Sequence, residues 1–104
     1  MNIRKPTDYS AMYAVLDRLM VEELPQVELY FEIGRAVCAR TEKGAAVAAS
    51  EYLQAAYPET IGFSPRNLRR MREFFRIYEN VPELRRLAMK ISWTQNVVIL
   101  EAEL

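Results

Sequence analysis

Ser64-Pro65-Arg66-Asn67-Leu68-Arg69-Arg70-Met71-Arg72-Glu73-Phe74-Phe75-Arg76-Ile77-Tyr78 is the stretch on which the reading of this chain turns. A hydroxyl residue followed by proline marks a helix start. Ser64 can accept a hydrogen bond from a free first-turn amide, and Pro65 fits the first helical position, where no N–H is needed. Projected at 100° per residue, Leu68, Met71, Phe74, Phe75 and Tyr78 fill an arc of about 120°, and Arg66, Arg69, Arg70, Arg72 and Arg76 fill the opposite arc of about 160°. The stretch is therefore predicted as a strongly amphipathic helix with one greasy face and one face of arginine.

Outward from it, nearly every segment has a helical period. Before it, Ala45 to about Tyr57 is alanine-rich and of high helix propensity, and Tyr57-Pro58 closes it. A turn of about six residues, with Phe63 as an apolar plug, joins the two. Earlier, Tyr9, Met12, Tyr13, Leu16, Leu19 and Met20 recur every three or four residues, predicting a helix capped by Thr7 and running to about Leu24. Pro25 then either starts a second helix at its first position or kinks a longer one, the kink or a very tight join being the preferred reading. Val27, Tyr30, Phe31, Gly34, Val37 and Cys38 give a second helix ending near Arg40-Thr41, with Gly34 where a neighbour can approach closely. After the arginine helix, Asn80-Val81-Pro82 predicts a capped short helix carrying Leu84, Leu87, Ala88 and Ile91. Ser92-Trp93-Thr94-Gln95 has the spacing of a capping box, opening a last helix from Thr94 to about Glu103. The fold expected is all-α, a bundle of five to six helices with a helix-turn-helix-like core, in one domain spanning 1–104.

Composition limits the chemistry. The chain of 104 residues is 51% hydrophobic and 27% charged, a ratio that predicts a folded core rather than disorder. It has no histidine and a single cysteine, Cys38, which removes Ser-His-Asp and Cys-His nucleophilic sites, most zinc sites and any internal disulfide. No metal site is expected, and Glu22, Glu23, Glu28 and Glu32 read as a solvated acidic face. No cofactor is implied and no active-site constellation emerges, so catalysis by this chain is not expected. There is no run long enough to span a bilayer, and Met1-Asn2-Ile3-Arg4-Lys5-Pro6 does not open a signal peptide, so a cytoplasmic location is expected. The apolar pattern of the last helix runs to Leu104 without a C-cap glycine or polar tail, as expected of the front part of a longer protein.

Fourteen basic and fourteen acidic side chains cancel over the chain, but not locally. Residues 62–90 hold eight basic and three acidic side chains, a net charge of +5, whereas 1–61 sum to −3 and 91–104 to −2. Within the arginine helix all basic residues are Arg and Glu73 is the sole acid. Guanidinium groups bind phosphate or a guanine edge through two hydrogen bonds, so docking on double-stranded DNA is one reading, with Ser64, Arg66, Asn67, Arg69, Arg70, Arg72 and Arg76 as the contact residues. That reading needs the arginine ridge to be exposed and not cancelled by carboxylates from adjacent segments. The other reading of such an arc is the solvated face of an amphipathic helix. Asn67 at the third helical position reads as a base or phosphate contact, or as part of the cap. A rival role is a protein-interaction module without nucleic-acid binding, in which Tyr30, Phe31 and Trp93, with the apolar last helix, form a homodimer interface or dock a further domain; Trp93 by itself reads as a core or interface anchor rather than a base-stacking platform.

Three motifs carry a family likeness. Leu29-Tyr30-Phe31-Glu32-Ile33-Gly34 resembles a Leu-Tyr-Trp-x-Ile-Gly signature. Ala56-Tyr57-Pro58 with Gly62-Phe63-Ser64-Pro65-Arg66-Asn67-Leu68-Arg69-Arg70-Met71 resembles a Phe-Pro … Gly-Phe-Ser-x-x-Asn-Leu-x-x-Met core. Ile91-Ser92-Trp93-Thr94-Gln95-Asn96 resembles a Leu-Pro-Trp-Gly-His-Asn close. Over about Tyr13–Leu100 the chain thus resembles the N-terminal domain of the YhcG-type bacterial proteins, domain of unknown function 1016. Phe31 stands in place of the usual Trp, and Gln95 where many members have His. The resemblance implies a helical, helix-turn-helix-like domain ahead of a C-terminal nuclease domain of the PD-(D/E)xK class, which would be its partner in the longer protein.

Overall fold

The computed structural model describes residues 7–102. Among them are six helices and no strand: α1 Ser10–Val21, α2 Gln26–Cys38, α3 Ala45–Ala56, α4 Pro65–Tyr78, α5 Pro82–Ala88 and α6 Trp93–Ala102. The readings placed on residues 1–6 and 103–104 lie outside the described residues. None of these helices is long and apolar enough to cross a membrane.

The expected all-α architecture is present, with α4 at its centre, packed mainly on α2 and also on α3, α5 and α6. Its apolar arc supplies Leu68, Met71 and Phe74, each fully buried, and Phe75, nearly so. They meet Phe31, Ile33 and Val37 of α2, Ala49 and Leu53 of α3, and Trp93 of α6 in one apolar cluster. Phe74 makes edge-on contacts with Phe31, Tyr78 and Trp93 at centroid distances of 5.9, 5.2 and 5.4 Å. Such edge-to-face pairs add about 0.5–1.5 kcal/mol each beyond area burial. Gly34 is where α2 and α4 come closest: a Cβ there would overlap the Met71 carbonyl.

The helix boundaries differ from the sequence reading chiefly at caps. Asp8, not Thr7, serves the start of α1, its Oδ1 accepting from the Ser10 amide at 2.9 Å. Pro25 neither kinks a helix nor sits at its first position. The chain leaves α1 through Glu23 with a left-handed backbone (φ 54°) and enters α2 with Pro25 as N-cap. That is the tight-join alternative. Val81, not Asn80, is the N-cap of α5 and has no side chain that can accept the capping bond, while the Asn80 Nδ2 donates to Glu79 at 3.4 Å. Ser64 caps α4 as expected, accepting from the Asn67 amide at 3.1 Å, and the Ser92/Gln95 box closes both ways at 2.9 and 3.1 Å.

Candidate nucleic-acid interface on helix α4

The site begins with what holds the α4 N-terminus in place. Gly62 takes a left-handed backbone (φ 99°), a conformation that side-chain-bearing residues rarely adopt, and Phe63 plugs into the core. The Phe63 carbonyl accepts from the buried Ser50 hydroxyl at 2.6 Å and from the Gln54 amide at 3.0 Å. Asn67 completes the anchorage, its Nδ2 donating to the Gly62 carbonyl at 2.6 Å and its Oδ1 accepting from the Trp93 indole N–H at 2.9 Å. The Asn67 side chain thus ties the loop, α4 and α6 together. This corrects its reading as a base or phosphate contact, since both ends of the amide are already engaged inside the molecule. The signal that finds this is the projection itself, in which Asn67 falls within the apolar arc of α4.

The arginines divide into a centre and two edges. Arg66, Arg69 and Arg76 stand on the solvent side, with Arg66 and Arg76 side chains 77% and 54% exposed. Arg76 holds Glu73 at 2.8 Å, one turn back on the same helix. Arg70 lies at one edge of the arc, only 27% exposed, and is bonded to Glu101 of α6, whose carboxylate also sits 3.8 Å from Arg66. Arg72 lies at the other edge, half-buried beside α2, where its backbone carbonyl meets the Cys38 thiol at 3.6 Å and its Nε has no acceptor. The ridge is therefore narrower than the sequence suggested and carries a carboxylate from a neighbouring helix. Glu101, unremarked in the sequence, is that carboxylate. Ser64 is exposed at the start of the ridge, with its oxygen already capping the helix. Between α4 and α6 runs a groove of about 440 Å³ floored by Ile77 and Leu100 and walled by Arg66, Arg69, Arg70 and Glu101.

The proposed interface residues move indoors. Tyr30, Phe31 and Trp93 are 3%, 1% and 8% exposed, and Trp93 stacks edge-on against Tyr30 at 4.9 Å. Phe31 is further covered by the guanidinium groups of Arg35 and Arg85, 5.5 and 5.2 Å from its ring centre. All three hold the core together, and this corrects their reading as a surface for partners. Burial also pushes the Cys38 thiol above its ordinary pKa, the two nearby arginines opposing only in part. On the far side, Tyr52 and Tyr57 donate to the two oxygens of Asp17 at 2.6 and 2.9 Å. The hydrogen bond to Asp17 is the main cause that raises the Tyr52 phenol to about 12. No cluster of three or more His, Cys, Asp or Glu converges among the described residues.

These features define a small all-α domain built around one arginine-bearing helix. Residues 19–104 match the family described as the DUF1016 N-terminal domain, and the chain belongs to that family. No curated protein and no solved structure matches the chain.

Proposed function

We propose that the chain docks on the phosphate backbone of double-stranded DNA through the outer face of α4, as the targeting module of a nucleic-acid-processing protein. The observation that carries this reading is the trio Arg66, Arg69 and Arg76, solvent-exposed on a helix that contains one acid. The helix is held rigidly at its N-terminus by the Ser50, Gln54, Asn67 and Trp93 bonds, so the guanidiniums project from a fixed ridge. Phosphate contacts from such a ridge orient a protein on a duplex without reading its sequence, which suits docking better than site recognition. The α3–α4 pair supports a helix-turn-helix-like placement, although residues 57–64 make a longer connection than the three- or four-residue turn of the tight motif. Partnership with a nuclease domain rests on the family resemblance.

Fluorescence anisotropy with a labelled random duplex tests the reading. Wild type binds, and Arg69→Ala/Arg76→Ala weakens binding at least about tenfold with no loss of thermal stability, because two charge-assisted phosphate contacts are worth roughly 1.4 kcal/mol or more together. Absence of binding by wild type, or equal binding by the double variant, refutes it.

A further inference from the structure

Four basic side chains crowd one corner of the molecule, where the segment joining α2 to α3 meets the C-terminal half of α4. Arg40 and Lys43 from that segment and Arg72 and Arg76 from α4 line a hollow of about 380 Å³, and Glu42 is the one acid among the residues that line it. Glu42 is already engaged. Arg40 holds it by two bonds of 2.9 Å each, and the same guanidinium lies 4.9 Å from the ring centre of Tyr9, so the pair pins the turn and cancels its own charge. Three cations remain. Lys43 and Arg72 form no ion pair among the described residues, and the Arg72 Nε is buried without an acceptor. Arg76 holds Glu73, but in a pair more than half exposed on both sides, which water and salt weaken and a phosphate can displace. The two guanidiniums converge. Both act on the Cys38 thiol, which also lines the hollow, and both oppose the effect of burial on it, Arg76 the more strongly and with Glu79 the weakest influence of all.

We propose that this corner binds a phosphate group of the duplex lying along α4, with Lys43, Arg72 and Arg76 as its ligands. The proposal rests on the docking reading and carries the interface from α4 onto the α2–α3 turn. Arg76 belongs both to the exposed ridge and to the hollow, so an anion seated here lies in line with a strand bound along α4, which favours the DNA backbone over a free phosphate. At the other end of the ridge Glu101 is bonded to Arg70 and approaches Arg66, which leaves this end the more strongly positive. The ligand types suit the task. Planar guanidinium forks can each give a phosphate two hydrogen bonds, and a lysine adds a mobile point charge. The phosphate is the one that Arg76 meets, shared among three cations, not an additional one.

Fluorescence anisotropy of the full chain with the labelled random duplex tests the proposal, comparing wild type with Lys43→Gln and with Lys90→Gln. Lys90 is an exposed lysine beside a different cleft, so its loss removes the same charge elsewhere. Lys43→Gln is expected to weaken binding at least about fivefold and Lys90→Gln less than about twofold. Lys43→Gln combined with Arg76→Ala should cost less than the product of the two single effects, because both side chains hold one phosphate, whereas Lys43→Gln and Arg69→Ala should multiply. Both lysines are exposed, and circular dichroism checks that the fold persists. Equal losses in the two lysine variants, or full multiplication with Arg76→Ala, overturn this site and leave docking by α4 standing if Arg69→Ala still weakens binding. A wild type that ignores the duplex overturns both; shifts of Lys43 resonances with inorganic phosphate alone would then mark a free anion as the occupant.

Discussion

The Asn67 amide shows how one side chain can serve the site without touching a ligand. It holds the Gly62 carbonyl and the Trp93 indole, so Asn67→Ala leaves a donor and an acceptor without partners. We expect that change to lower unfolding free energy by about 1–3 kcal/mol. Arg69→Ala should leave the denaturation midpoint unchanged and reduce only DNA affinity. Glu101 acts in the opposite sense, because its carboxylate occupies the guanidiniums of Arg70 and Arg66 where a phosphate would bind. Glu101→Gln is therefore expected to raise duplex affinity several-fold and to steepen its salt dependence; an unchanged affinity would mean that Arg70 takes no part in docking. Asp17 acts on ionisation instead. Its hydrogen bond raises the Tyr52 phenol from 10.0 to about 12, which means that the protonated phenol is favoured in the folded state. The stability this contributes is fully present below the unfolded pKa and is lost as pH rises from about 10 through about 12. Spectrophotometric titration should show Tyr52 and Tyr57 both ionising late, since each donates to Asp17, and both returning towards 10.0 in Asp17→Asn.

Among the elements, α4 was legible almost in full because local chemistry and tertiary packing agree on it. Ser64 and Pro65 set its start, and its apolar arc is the core. What a list of arginines hides is position within the arc. Arg70 and Arg72 border the apolar face, so the helices packed there, α6 and α2, claim them, while Arg66, Arg69 and Arg76 remain in water. Caps were read less well, since Thr7, Asp8 and Asn80 all have the chemistry to cap and only the backbone path chooses among them. The interface reading of Tyr30 and Phe31 failed, and that of Trp93 gave way to its core alternative, for a different reason: all three are apolar whether they meet a partner or the chain's own core. Gly34 was read correctly as a point of close approach, and α2 and α4 meet there so tightly that Gly34→Ala should destabilise the fold by about 2 kcal/mol or more in chemical denaturation. An unaffected Gly34→Ala would show that the two helices can separate at little cost.

Over the whole molecule, the segregation of charge is the property on which the functional account rests. A chain of zero net charge places a net +5 in residues 62–90, and folding gathers part of it on the exposed side of one helix. Folding also trims it, through Glu73 and Glu101, which is why we expect about three phosphate contacts rather than four or five. Glu73 stands one turn from Arg76 and is visible in the sequence, whereas Glu101 is not, because it lies 31 residues from Arg70. The decisive measurement is the affinity for random duplex as a function of salt. Releasing counterions at three phosphates gives log affinity against log salt a slope of about −3 for wild type, falling to about −1 when Arg69 and Arg76 are alanine. A flat dependence, or one identical in the two proteins, would contradict the account.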